Sequence, residues 1–508
     1  MLKTLSSTIR ENPVLRSSLA VVAITLLGKF IGYGEKITLA YYFGTSYKVD
    51  VYNLIFTIVL SVFLLVREII EPPFLNPFLK AIQKRDEHAA WGLFGFFFKW
   101  ILIFTAIISG LACFFPQSII LVFAPGFNEE KRQLAVKLIT IAFPACIFLS
   151  LSALTNITLN GLKYFAQPAL AELAFKITVL AGLILLYQWF DIYAITAGII
   201  VGALIKLLLH FLVLYRKISL HSLTAPPSYL QDAWTLSWPL LLGVSFSQAS
   251  SLIDNLFASY LQEGAISALS YSKKIIDLPV LIFPYIVSIV AFPYFSELRA
   301  ASKKDESAQL LVKCLSFIVI VFLPLSLFFY LFSIPIVELL FKRGAFDMQS
   351  VILTAQPLRY YAWGLVFFAV ETVLVIFYFA NSNTRTPVFT GILCVILNIF
   401  LTYLFIRLWG YYGIAIALVI SKGLKNVILL LKLRVYLDLN FEEIGVFLIK
   451  ALAACLLTFA ALQLFTGCYP LAYESAAEKA VFLAAAFFLM AVVYSISLFL
   501  LRLNPLKT

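Results

Sequence analysis

The chain reads as an all-α polytopic membrane protein of about fourteen transmembrane helices, built as two parallel-related six-helix lobes followed by two additional helices. Three observations predict this. Of the 508 residues 62% are hydrophobic and only 13% charged, with a mean hydropathy of +0.98, against roughly 45–50% apolar and 25% charged in soluble domains. Apolar runs of roughly 20 residues, the length that crosses a ~30 Å hydrocarbon core, recur along the whole chain. The chain also resembles itself when slid by 219 residues.

Taken in order, the runs lie near 18–43, 50–75, 91–114, 133–159, 168–189, 191–215, 233–260, 265–295, 310–333, 350–380, 386–408, 410–433, 444–467 and 478–502. The first lacks the short apolar core and small-residue cleavage site of a signal peptide, so it is expected to be retained. Lys and Arg on short loops favour the cytoplasm. Lys3, Arg10 and Arg16 precede the first run, Lys80, Lys84 and Arg85 follow the second, and Arg216 and Lys217 follow the sixth. Arg299, Lys303 and Lys304 follow the eighth, and Lys432 and Arg434 precede the thirteenth. Both termini are therefore expected in the cytoplasm, and the net charge of +12 reflects topology and affinity for anionic phospholipid rather than nucleic-acid binding.

At the 219-residue offset Glu35 meets Asp254, Tyr41 meets Tyr260, Tyr52 meets Tyr271, Phe127 meets Phe346, Pro168 meets Pro387, Tyr193 meets Tyr412 and Lys206 meets Lys425. Six spans per copy is an even number, so both copies share one orientation and are expected to flank a substrate site. The reading divides the chain into a first lobe (1–217), a cytoplasmic linker with Pro226 and Pro227 (218–232), a second lobe (233–437) and two extra spans (438–508).

Charges inside the spans point to function. An ionised side chain at the bilayer centre costs roughly 2.5–3.5 kcal/mol on insertion scales, so it normally faces protein or a water-filled cavity. Lys29, Glu35 and Lys36 lie in the first span, and Arg67 and Glu71 in the second. Glu172 and Lys176 are spaced i, i+4 and read as a structural pair. Glu371 and Arg359 are candidates to line the second lobe, whereas Lys422 and Lys425 sit near a span end and are expected to snorkel outward.

Other chemistry finds little support. Six scattered cysteines lack the spacing of a zinc or redox site, and His88, His210 and His221 form no cluster. No phosphate-binding Gly-x-x-x-x-Gly-Lys-Ser/Thr loop is present. No loop exceeds roughly twenty residues, so a membrane-embedded enzyme with a catalytic carboxylate or histidine set is disfavoured.

Several segments together resemble one family. They are Leu39–Gly44 with Asp50, the Ala-Pro-Gly-Phe of Ala124–Phe127 followed by Glu130 and Lys131, and Phe148–Leu154 leading to Asn160. In the second half they are Gly243–Ser259, Phe341–Phe346, Leu358–Leu365 and Asn383–Val388. The chain resembles the MurJ/MviN lipid II flippases of the multidrug/oligosaccharidyl-lipid/polysaccharide exporter superfamily over both halves.

That resemblance implies two lobes around a central cavity and export of the undecaprenyl-pyrophosphate-linked peptidoglycan precursor across the bacterial inner membrane, by a monomer working beside cell-wall synthesis proteins. It also implies cations on spans 1, 2 and 8 that hold the pyrophosphate, which needs fixed positive groups in place of its hydration. By position these are Lys29, Arg67 followed by Glu71, and Lys274 followed by Asp277. Two departures stand out: Glu35-Lys36 occupies the place of an Arg-Asp pair, and Lys273-Lys274 that of an acid-base pair. Lysine lacks arginine's bidentate fork. Another polyprenyl-linked oligosaccharide, or a drug carried by the same superfamily, stays open as the cargo.

No cofactor is expected. Transport would draw on an ion gradient or the membrane potential. Asp254, Asn398 and Thr402 offer oxygen ligands to Na⁺ of the kind some family members use; the alternative is an aspartate hydrogen-bonded inside a polar helix interface.

Overall fold

The computed structural model describes residues 13–215, 245–246, 248–434, 437, 441–468 and 475–501. Among them it is helical throughout, with no strand. The linker predicted at 218–232 lies outside the described residues. In chain order the helices are α1 (Pro13–Phe43), α2 (Tyr47–Gln83), α3 (Glu87–Phe114), α4 (Pro116–Phe123), α5 (Glu129–Ala142), α6 (Pro144–Gly161), α7 (Ala166–Phe190) and α8 (Tyr193–Leu214). Then follow α9 (248–259), α10 (Ala265–Ala300), α11 (Lys304–Leu331), α12 (Ser333–Phe341), α13 (Met348–Ala380), α14 (Arg385–Trp409), α15 (Tyr412–Leu433), α16 (Phe441–Cys468) and α17 (Ala476–Leu500).

Ten of these helices are long and apolar enough to cross a membrane, eleven if α5 and α6, bent by 41° at Phe143–Pro144, form one span. The fourteen of the sequence reading include three more, those of α1, α10 and the run at 233–260, each of which falls partly outside the fully described residues on which the count of ten or eleven is made. Large apolar side chains such as Phe114, Phe499 and Leu464 stand on the outside, as expected for a surface whose solvent is lipid.

The chain divides into two compact units, Met1–Tyr260 and Leu261–Thr508, with α9 in the first and α16 and α17 in the second. α9 is tied to the first unit by the amide of Gly126, which donates to Ser259 Oγ at 3.2 Å. Only glycine fits there, because a Cβ would stand 2.7 Å from the Ser259 backbone. The core of the first unit is an aromatic stack of Phe74, Phe78, Trp91 and Phe94 from α2 and α3.

The 219-residue offset recurs in the backbone. Lys163 and Ser382 both adopt left-handed conformations (φ 65° and 52°), as do Asp191 and Gly410 (φ 51° and 64°). Tyr52 and Tyr271 are both buried, as are Phe127 and Phe346. Chain reversals and anchoring aromatics thus fall at corresponding places in the two units.

Candidate functional site

In the first unit, charge converges where α7 meets α8. Glycine makes this pair close: a Cβ at Gly182 would stand 2.8 Å from Gly198 Cα, and one at Gly202 3.0 Å from the Phe175 carbonyl. Small residues let membrane helices approach backbone to backbone. The approach brings Lys206 of α8 onto Glu172 of α7, the Nζ donating to Oε2 at 2.8 Å. Lys176, one turn beyond Glu172, stands 3.7 Å from its other oxygen. Arg67 of α2 acts electrostatically on the same carboxylate. Two lysines thus pair with one anion, with the charge of Arg67 felt at the same carboxylate. Lys206 is buried between the rings of Phe63 and Phe175, whereas Arg67 is exposed, so the positive charge is graded outward from the interior.

Lys176 lies over α1, where a Cβ at Gly28 would stand 3.8 Å from its Nζ. Lys29 is the next residue and is partly buried. Lys36 turns toward α2, donating to Asn53 Oδ1 at 3.4 Å, lying 5.3 Å from the Tyr52 ring centroid and 3.8 Å from Glu35. Asp50 is fully buried and accepts from Lys131 Nζ at 3.3 Å, which places it in a helix contact between α2 and α5. Glu71 is partly buried one turn along from Arg67.

In the second unit a cavity of about 460 Å³ is lined by Lys273, Asp277, Glu371 and Lys422 with Tyr361, Phe368 and Leu418 among its walls. Asp277 feels the charges of both Lys273 and Lys274. Lys273 rather than Lys274 borders the cavity, because consecutive residues are about 100° apart on a helix. Glu371 of α13 accepts from Lys422 at 3.0 Å and from Lys425 at 2.6 Å, both on α15. Those two lysines therefore point inward and do not snorkel. Arg359 also departs from expectation, donating to Ser333 Oγ at 2.8 Å.

Asn398 and Thr402 are buried one turn apart on α14 in the second unit. Ser421 donates to Asn398 Oδ1 at 3.4 Å, and Thr402 Oγ1 has no hydrogen-bond partner among the described residues. Asp254 lies on α9, partly buried, in the first unit. Among the described residues no three His, Cys, Asp or Glu side chains gather as a metal site.

Sequence reasoning missed Lys206 as a site residue and treated Lys425 as peripheral. The available signal was their match in the repeat, a lysine at the same place in both halves.

Comparison with known proteins adds the family. The model of the lipid II flippase MurJ family matches residues 39–495. A probable lipid II flippase MurJ of Buchnera aphidicola subsp. Acyrthosiphon pisum is 28% identical over 437 residues, covering 83% of this chain and 84% of the relative. The lipid II flippase MurJ of Burkholderia cenocepacia is 25% identical over 431 residues, 82% and 83% of the two chains. Among solved structures, a lipid II flippase MurJ in an inward closed conformation superposes with a TM-score of 0.79 at 22% identity, over 94% of this chain and 99% of that one. An inward-facing multidrug resistance MATE family transporter of the MOP superfamily reaches 0.70 at 14% identity, over 82% and 97%. With a family model spanning both units and relatives matched along most of their length, this chain belongs to the lipid II flippase MurJ family.

Proposed function

We propose that this multi-pass membrane protein flips lipid II, the undecaprenyl-pyrophosphate-linked peptidoglycan precursor, from the cytoplasmic to the outer leaflet of the inner membrane by alternating access, with both termini in the cytoplasm. The observation that carries the reading is the surplus of positive charge in the first unit, where Lys176 and Lys206 pair with the single carboxylate of Glu172 and the exposed Arg67 adds a third cation. A pyrophosphate is multiply anionic, and in a low-dielectric interior it requires cations that are not fully spent on protein carboxylates. Arg67 is the outermost of the three and the natural first contact. Lys29 and Lys36 of α1 extend the positive lining, and Lys273, Lys274 and Asp277 supply a mixed counterpart in the second unit.

Such a charge balance disfavours cationic drugs as cargo. It is equally suited to other polyprenyl-pyrophosphate glycans, and the experiment below separates them. A membrane potential or Na⁺ gradient would drive transport, with the Asn398 and Thr402 oxygens and the Asp254 carboxylate as the residues to mutate for sodium dependence.

The test is replacement in a bacterium whose own lipid II flippase can be shut off, with lipid II on the outer leaflet quantified. Restored exposure supports the assignment. Persistent inward-facing lipid II, with the protein inserted at normal level, overturns it in favour of another lipid-linked glycan.

A further inference from the structure

At the end of the second unit where α10 finishes and α11 and α14 begin, a cavity of about 270 Å³ is lined by Arg299, Lys303 and Lys304, by Ser302, Ser307 and Asn383, and on its other side by Leu298, Phe377, Leu433 and Leu437. Among the described residues three cations and no carboxylate border it. Of the nearby acids, Glu306 is spent on Lys303 at 2.7 Å, and Asp305 is exposed in the first turn of α11. Arg299 donates to Ser382. Ser307 is 4% exposed, yet its hydroxyl has no hydrogen-bond partner among the described residues. A buried hydroxyl without a partner is costly unless something outside the protein satisfies it.

The corresponding turn of the first unit supplies a control. Lys84-Arg85-Asp86-Glu87 matches Lys303-Lys304-Asp305-Glu306 in sequence, but the helices start at different points in the match. In the first unit Asp86 is the N-cap of α3 and its carboxylate accepts from the amide of Ala89 at 2.9 Å. In the second unit α11 begins two residues earlier in the motif, so Lys303 stands at the N-cap and no side chain caps the helix. The first unit therefore closes its helix end with its own anion, and the second leaves a 28-residue helix N-terminus, flanked by lysines, beside a cavity. Uncapped amides and the helix dipole both favour a negative charge there.

We propose that this cavity binds a phosphate ester, with Arg299 and Lys304 facing the anion, Ser307 Oγ donating to one of its oxygens, and the leucine and Phe377 wall packing against whatever the phosphate carries. Both a phospholipid headgroup and a soluble phosphate fit that chemistry. The site is separate from the charged groups assigned to transport and does not depend on that assignment.

Two probes separate the sources: inorganic phosphate added to protein in detergent, and nanodiscs of phosphatidylglycerol against phosphatidylcholine, with retained lipid counted by mass spectrometry and thermal stabilisation measured. The double variant Arg299→Gln/Lys304→Gln is expected to weaken anion binding roughly thirtyfold, the scale of two lost surface cations, without changing the melting temperature in anion-free phosphatidylcholine. The matched pair Lys80→Gln/Arg85→Gln in the first unit is expected to have no effect on binding, and Ser307→Ala to give an intermediate loss. Phosphatidylglycerol retained more tightly than phosphate identifies a lipid headgroup; equal affinity identifies a soluble ester. Should the two double variants weaken binding equally, or neither do so, the site does not exist as described.

Discussion

The two units hold the same lysine in different ways. Lys206 and Lys425 stand 219 residues apart, each on the sixth span of its repeat. In the first unit the partner is Glu172 on the neighbouring α7; in the second it is Glu371 on α13, one span earlier in the chain. At the position matching Glu172 the second unit has Gly391, where a Cβ would still stand 3.6 Å from Lys425 Nζ. At the position matching Glu371 the first unit has Ser152, whose hydroxyl is spent on the Leu149 carbonyl. The second lysine has moved as well, from Lys176 beside the glutamate in the first unit to Lys422 beside Lys425 in the second. What persists is the ratio of two lysines to one carboxylate. The spatial requirement is thus a counter-charge for the repeated lysine, and any neighbouring helix that reaches it will serve.

Different placement gives different energetics, and the largest expected effect tests this. Glu371 and Lys425 are 15% and 10% exposed, whereas the Glu172 side chain is 42% exposed. Glu371→Ala strands the buried Lys425 ammonium together with the partly buried Lys422 and is expected to destabilise the protein by about 3 kcal/mol. Glu172→Ala also leaves a buried lysine, Lys206, without its carboxylate, but that carboxylate is the more exposed and more screened of the two, so the loss should be smaller, about 2 kcal/mol. Denaturation of both variants in one detergent ranks them, and an equal loss would refute the distinction. A transplant sharpens the comparison further: Glu371→Ser combined with Gly391→Glu copies the first unit's geometry into the second and should recover roughly half of the lost stability. No recovery would mean that α14 cannot bring a carboxylate to Lys425.

On transport the order reverses, because the first unit adds an exposed third cation, Arg67, to its two lysines and one carboxylate. Arg67→Ala is expected to abolish replacement of a native flippase at normal protein level, Lys274→Ala to do so equally if span 8 contacts the same anion, and Lys273→Ala to cost less. Growth of cells dependent on Arg67→Ala would remove that residue from the site.

The smallest effect concerns α12, which the first unit matches with the shorter α4. Burial pushes the Glu338 carboxyl up, but hydrogen bonds from Lys479 of α17 and from Lys342, with their charges, outweigh it and hold the carboxyl below the ordinary value of 4.5. A carboxylate depressed on folding contributes stability above its unfolded value, and that contribution is lost as pH falls through the folded one. Acidification below 4.5 should therefore loosen α17 from α12 in the parent, and Glu338→Gln should flatten this acid limb of the melting profile.

Much of the fold was legible because lipid imposes one rule on every span, and hydropathy reads that rule directly. The bend between α5 and α6 was not legible as a break, since Phe143-Pro144 sits inside an unbroken apolar run. At the site, position along the chain located embedded charge but not its partners. Glu371 lies 51 and 54 residues from Lys422 and Lys425, so a lysine near a span end looked free to reach water when a carboxylate on another helix already held it. Asp50 was similar: the motif marked it, and its buried partner Lys131 lies 81 residues away. Only the repeat offset crossed such distances, and it does so for Lys206 and Lys425.

The displaced glutamate also constrains history. If the halves descend from one ancestral unit, single substitutions could reach the two arrangements in either order, but the orders are not equivalent. Losing the old carboxylate first leaves a buried ammonium with no partner, a state selection removes. Gaining the new one first passes through an intermediate with two carboxylates and two lysines, each charge matched. A second lysine beside every glutamate makes that neutral intermediate viable, so the surplus cation serves as a reserve through which the lobes could diverge without a lethal step.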